Sequence, residues 1–179
     1  LISIPYSYKA PYSNIESNIL GSYNILEASK INNIDKIIMT SSSEVYGTAQ
    51  KIPIDENHPI NPQSPYAASK VAADKISLSY FRSFQLPVSI IRPFNTFGPR
   101  QSLRAIIPSI ISQIVSGRNT VNVGNLSPKR DFTFIDDTVE AFLLSIKSKK
   151  IIGEEVNLGN GFEVSVNQIL KILREDFNL

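Results

Sequence analysis

Two short apolar runs constrain this 179-residue chain more than any other feature. Ile37-Ile38-Met39-Thr40 and Pro87-Val88-Ser89-Ile90-Ile91 read as strands of the buried, parallel kind, apolar without alternation. Between them lies a stretch from Tyr66 to about Phe84, rich in Ala and Lys. Ser64-Pro65 opens it as an N-cap followed by proline at the first helical position. Strand, long connection and strand make a βαβ unit, the element of a mostly parallel sheet.

The flanking sequence repeats the alternation. Ser13-Asn14-Ile15-Glu16 has capping-box spacing, and Ile15, Ile19, Tyr23 and Leu26 recur at helical intervals, so a helix is expected from about Asn14 to Lys30. Downstream, Pro108 to Ser116 reads as a helix ended by Gly117, and Asp136 as the cap of a helix through Ile146. Ser165 is expected to cap a last helix with Val166, Ile169, Ile172 and Leu173 inward. Asn122-Val123, Phe132-Thr133-Phe134 and Val156-Asn157-Leu158 are expected strands. His58, alone in a proline-rich loop, reads as solvent-exposed.

Composition narrows the function classes. The net charge of +2 offers no field to recruit nucleic acid or an anionic membrane. With no Cys there is no disulfide framework, and a single His argues against a His-rich metal centre. No apolar run approaches the roughly 18 residues of a membrane span, and Leu1-Ile2-Ser3-Ile4-Pro5 lacks the basic segment of a signal peptide, so a cytoplasmic location is expected.

Three segments carry chemistry. Ser42-Ser43-Glu44-Val45-Tyr46-Gly47 follows the first strand, Tyr66-Ala67-Ala68-Ser69-Lys70 opens the helix, and Arg92-Pro93-Phe94-Asn95 closes the next strand. Ligands of doubly wound sheets bind outside the carboxyl ends of strands, so the first and third segments face one crevice. Tyr66 and Lys70, four apart, share a helical face. A phenol is a poor base near neutral pH, and a nearby ammonium favours its phenolate. Such a pair can take and return a hydroxyl proton, as hydride transfer to nicotinamide demands.

Together these segments resemble the extended short-chain dehydrogenases/reductases, the NAD-dependent epimerase/dehydratase family, over essentially the whole chain. The resemblance implies a partial Rossmann-type doubly wound α/β sheet with part of a smaller substrate-binding α/β region. Residues 1–95 would belong to the NAD-binding domain, and 96–179 mainly to the nucleotide-sugar region, with segments returning to the core. It makes Tyr66 and Lys70 the catalytic couple, joined by the Ser42 hydroxyl, and puts Ser41, Ser42, Tyr66, Lys70 and Pro93 against NAD. An Asn of the earlier helix matches Asn18-Ile19-Leu20-Gly21-Ser22-Tyr23-Asn24. Asn95, Arg104 and Arg130 would meet the substrate, the arginines at its diphosphate or ribose. Tyr6 and Ser7 would border the sugar, with buried aromatic packing the alternative for Tyr6.

Ser42-Ser43-Glu44 looks like the Thr-Ser-Glu of nucleotide-sugar 4,6-dehydratases. Once C4 is a ketone the C5 proton is acidic. Glu44 would remove it, while Ser43 or the same carboxyl helps the C6 hydroxyl leave. UDP-N-acetylglucosamine is the favoured substrate. A 4-epimerase, a UDP-glucuronate decarboxylase and a non-catalytic remnant of the fold are the alternatives. The family's glycine-rich loop has no counterpart, because Gly21 and Gly47 are the only glycines before residue 98. The chain therefore reads as a fragment lacking on the order of 70–80 residues of the dinucleotide half. On that basis it should bind NAD weakly and turn nothing over alone. In a complete enzyme, helices beginning near Asn14 and Tyr66 are expected to pack across a homodimer axis.

Overall fold

The computed structural model describes residues 1–118 and 120–177, and the chain divides into two compact units. The first comprises Leu1–Pro93 and Val139–Leu158, the second Phe94–Thr138 and Gly159–Leu179.

The first unit starts with helices α1 (Ile4–Lys9) and α2 (Pro11–Asn14). A π-helical segment, Ile15–Leu20, leads directly into α3 (Gly21–Ile31). Helix thus begins ten residues before the expected start. Ser3 accepts the Tyr6 amide at 3.3 Å and proline sits in the first turn. The capping box at Ser13–Glu16 does not form, because Pro11 has already started helix and Asn14 and Ile15 are both in the right-handed helical region.

Strand β1 (Ile37–Thr40), helix α4 (Pro65–Phe84) and strand β2 (Val88–Pro93) form the predicted βαβ unit. Strand β6 (Glu155–Leu158) completes a three-stranded sheet of order β1-β2-β6, parallel throughout. Ile37 pairs with Val88 and Thr40 with Ile91, while Ile90 pairs with Glu155 and Pro93 with Leu158. Leu26, Leu78 and Tyr80 from the helices meet Ile37, Leu86, Val88 and Ile90 in the buried core. Removing one such aliphatic side chain from water contributes about 1.5–3 kcal/mol. At Gly153, before β6, φ is +83° and a Cβ would sit 2.2 Å from the Phe81 ring, so no other residue lets this turn close on α4.

α4 is framed as its sequence specifies. Ser64 accepts the Ala67 amide at 3.0 Å, and Gln85 stops the helix in the left-handed conformation. Before α4, the proline-rich loop folds over Tyr46, and His58 is only 2% exposed, against the expectation of a solvated residue. Its Nε2 accepts the Gln50 amide at 2.9 Å, its Nδ1 lies 3.0 Å from the Pro59 carbonyl, and its ring meets Tyr46 edge-on at 5.5 Å. Complete pairing of both ring nitrogens is what makes that burial tolerable.

The second unit holds a parallel pair, β3 (Asn95–Phe97) with β5 (Phe132–Phe134), and an antiparallel pair, β4 (Lys129–Arg130) with β7 (Val164–Ser165). Helix α5 is Ile106–Val115, starting two residues before the expected Pro108. Helix α6 is Ile135–Lys147, its residues from Val139 belonging to the first unit. Helix α7 (Val166–Asp176) has a full Ser165/Gln168 capping box. Asn122-Val123 is not a strand. The Gln113 amide stands in for a strand partner, accepting the Asn122 N–H at 2.8 Å and donating to its carbonyl at 3.1 Å. No helix among the described residues is long and apolar enough to cross a membrane.

Candidate active site

β1 delivers the Ser42-Ser43-Glu44 segment to its carboxyl end. Ser41 still bonds the sheet, donating its amide to the Ile91 carbonyl at 2.7 Å. Ser42 is extended, and its Oγ accepts the Glu44 amide at 3.2 Å, capping a 3₁₀ turn over Ser43–Tyr46. Val45 and Tyr46 are fully buried and anchor that turn, leaving Ser43 and Glu44 half-buried. Gly47 ends it at φ +65°, where a Cβ would lie 2.2 Å from the Asn61 carbonyl oxygen. Only glycine fits there.

α4 brings its first turn against this segment. Tyr66 is 5% exposed, and burial pushes its phenol above the ordinary value. A hydrogen bond with Ser42 opposes that rise, while the charges of Glu44 and Asp74 add to it. The net direction is upward, opposite to the lowering expected from Lys70: desolvation of the phenolate is the largest cause. One turn on, the Lys70 ammonium donates to the Thr40 carbonyl at 2.5 Å. Burial pulls Lys70 down and Asp74 partly restores it. Ser42, Glu44, Tyr66 and Lys70 are thus gathered at the carboxyl end of β1.

Other anticipated residues are placed differently. Ser41, expected against the cofactor, is 5% exposed, and its hydroxyl donates to Asp74 at 2.9 Å. Pro93 pairs with Leu158 at the end of β2, half-buried. Ser7 is fully buried and donates to the Ile4 carbonyl at 2.7 Å, so its hydroxyl is committed within α1. Tyr6 is exposed rather than packed in the core. Asn95, Arg104 and Arg130 lie in the second unit. Asn95 is held through its backbone, which donates to the Asp131 carbonyl at 3.0 Å, and both arginines are exposed.

Two acidic residues, Asp74 and Asp131, escaped the sequence reasoning. Asp74 and Arg92 form a buried ion pair at 3.0 Å, which only the i, i+4 continuation Tyr66, Lys70, Asp74 could have signalled. Asn18, from the segment matched to the family's Asn, lies in the π-helical stretch, is 6% exposed and donates to Ser69 at 2.9 Å, between Tyr66 and Lys70 on α4. Asp131 accepts the Asn160 and Gly161 amides at 2.9 and 2.7 Å, fixing the turn after β6 within the second unit.

A buried tyrosine, its lysine one helical turn on and a serine capping the facing turn lie together at parallel strand ends, the arrangement expected from the resemblance to short-chain dehydrogenases/reductases. The chain belongs to the epimerase/dehydratase family of that class, matching over residues 1–177 the family model described as GDP-mannose 4,6 dehydratase. It is 34% identical over 179 residues to a putative UDP-glucose 4-epimerase of Methanocaldococcus jannaschii, covering 98% of this chain and 58% of that protein. It is 35% identical over 176 residues to a dTDP-D-glucose 4,6-dehydratase of Dictyostelium discoideum, covering 92% of this chain and 40% of that one. Among solved structures, the dTDP-glucose 4,6-dehydratase DesIV of Streptomyces venezuelae, determined with NAD bound, superposes with a TM-score of 0.91 at 26% identity, over 99% of this chain and 55% of that chain. The chain spans about half the length of the curated relatives it matches.

Proposed function

We propose that the protein carrying this chain is an NAD-dependent nucleotide-sugar 4,6-dehydratase. Residues 1–95 would contribute to its dinucleotide domain and 96–179 mainly to its sugar-nucleotide region. The observation that carries this reading is Glu44, a half-buried carboxylate in the turn capped by Ser42 and close enough to Tyr66 to act on its charge. Hydride transfer at C4 alone needs only the Tyr–Lys–Ser group, whereas elimination across C5–C6 needs a further base.

The donor set fits the cofactor: a phenol, an ammonium and a serine hydroxyl converge at one strand end, as a nicotinamide ribose requires. Tyr66, Lys70, Ser42 and Pro93 would hold NAD, which supplies the acceptor for the C4 hydride and returns it at C6. Tyr66 takes the proton of the 4-hydroxyl while Ser42 hydrogen-bonds the same oxygen. Lys70, fixed on Thr40, holds the couple's positive charge in place. Glu44 removes the C5 proton, and Ser43 or the Glu44 carboxyl protonates the departing C6 hydroxyl. Asn95, Arg104 and Arg130 would bind the nucleotide diphosphate, guanidinium forks matching phosphate oxygens. UDP-N-acetylglucosamine is the first substrate to try, with GDP-mannose and dTDP-glucose beside it. A homodimer is part of this reading, with the helices beginning near Asn14 and Tyr66 packing across its axis.

The test is Glu44→Gln in the protein carrying this chain. It is expected to lower dehydration by about 10²–10⁴-fold. Solvent deuterium should no longer enter at C5, while the sugar is still oxidised at C4. Undiminished dehydration in this variant would remove Glu44 from the chemistry. The likeness to the archaeal putative 4-epimerase favours a second reading, and a product differing from substrate only in C4 configuration would establish it.

A further inference from the structure

Behind the proposed catalytic couple lies a charged group buried as deeply as the hydrophobic core. Asp74 is 2% exposed and Arg92 1%. One carboxylate oxygen, Oδ2 of Asp74, accepts from Arg92 Nε at 3.2 Å, from Arg92 Nη2 at 3.0 Å and from Ser41 Oγ at 2.9 Å. Arg92 also donates to the Tyr46 hydroxyl at 3.0 Å and to Glu155 at 2.6 Å. Tyr46 in turn donates to Asn157 at 2.8 Å. A single guanidinium therefore ties together α4, both catalytic strand ends, the 3₁₀ turn that bears Glu44, and β6.

The arrangement is not explained by stability. A buried ion pair contributes little net stability over an apolar pair of equal volume, because desolvating both charges costs about what their attraction returns. What it does supply is direction and charge. Asp74 continues the helical face of Tyr66 and Lys70, so a negative charge sits one turn below the ammonium. Arg92 decides how much of that charge the couple experiences.

We propose that Asp74 and Arg92 are positioning residues for the Tyr66–Lys70 couple, locking α4 and the Glu44 turn to the strand ends and setting the charge that the couple faces. This rests on the dehydratase reading for its kinetic half only. Tyr66 is faced by Ser42 and Glu44 from the turn and by Asp74 from its own helix. Lys70 is faced by Asp74. Asp74 is faced by Ser41 just past β1, Arg92 from β2 and Glu155 from β6, and Glu155 also pairs with Lys75 at 3.1 Å.

Removing Asp74's charge favours the phenolate, whereas removing Arg92 leaves that charge uncompensated and disfavours it. In Asp74→Asn the midpoint of Tyr66 ionisation should move to lower pH, and in Arg92→Met to higher pH, each on the order of half a unit. Arg92→Lys, which keeps the charge but not the fork, should stay near wild type in midpoint. The readout is tyrosinate absorbance against pH, with Tyr66→Phe subtracted to isolate that residue, alongside the acid limb of the kcat profile. Opposite displacements of the absorbance midpoint support the proposal. Equal midpoints in Asp74→Asn and wild type, with both folded by circular dichroism, would overturn it, and so would displacements of the same sign in Asp74→Asn and Arg92→Met. If Arg92→Met does not fold, Asp74→Asn and Arg92→Lys decide. Opposite absorbance shifts without turnover of any nucleotide sugar would leave the positioning role standing and sink the dehydratase reading instead.

Discussion

At the strand ends of the first unit, four side chains are already held. Lys70 is on Thr40, Ser41 is on Asp74, Arg92 has three partners, and Tyr66 is buried against Ser42. In the second unit, Arg104 and Arg130 are exposed, and the Arg130 guanidinium donates to its neighbour's carbonyl, that of Lys129, at 2.8 Å. The contrast follows from the work proposed for each. A group that moves a proton must have its ionisation set before substrate arrives, which requires burial and fixed partners. A group that grips phosphate needs only a charge and a free fork, and solvent serves it well until the ligand displaces it.

The comparison breaks first at Tyr66. Tyr66→Phe keeps the ring packed and removes only the hydroxyl, so folding should be unchanged while kcat falls by about 10²–10⁴-fold with KM little altered. A rise in KM without loss of kcat would move Tyr66 into the binding set. The opposite split is expected at Arg130. Arg130→Ala should raise KM about tenfold, the scale of one lost charged hydrogen bond, with kcat and Tm within error of wild type. A fall in Tm would show that the exposed arginine supports the fold.

The smallest effect lies away from both sites, where α3 meets α4. Tyr80 donates a short hydrogen bond to Glu27, which Lys30 also binds at 2.8 Å. The Glu27 bond holds Tyr80's phenol up to about 12, while Lys30 first and Tyr80 second hold Glu27's carboxyl below its usual range. A raised phenol contributes stability in full below its unfolded value near 10, and loses it as the pH climbs through about 12. The carboxyl's share is present above the ordinary carboxylate range and fades as pH falls through its lowered one. Melting temperature should therefore sag above pH 10 in wild type and less so in Tyr80→Phe. Parallel alkaline curves would leave that bond without energetic weight.

The sequence revealed the site through spacing. Tyr66 and Lys70 sit four apart behind a capped helix start, and Ser42-Ser43-Glu44 follows an apolar run. Both facts survive translation into three dimensions because helical periodicity and strand ends are local rules. What stayed hidden is set by contacts between distant segments. Asp74 meets Arg92 across 18 positions and His58 reaches back 8 to the Gln50 amide, and neither pairing has a local signature. The rise of Tyr66's phenol is hidden for a related reason: a charge four residues away can be read from sequence, but depth of burial cannot. The helix start was missed because Ser3 and the prolines at 5 and 11 form helix openings that a longer, better capping pattern at Ser13 obscured.

His58 also makes the proline-rich loop observable. A backbone amide can only donate, so the nitrogen facing Gln50 must be bare. A carbonyl can only accept, so the nitrogen facing Pro59 must carry the hydrogen. The closed loop thus writes itself into the position of one proton, on Nδ1. Nitrogen-15 spectra of this single histidine would report, without any added probe, what fraction of molecules hold the loop shut over Tyr46.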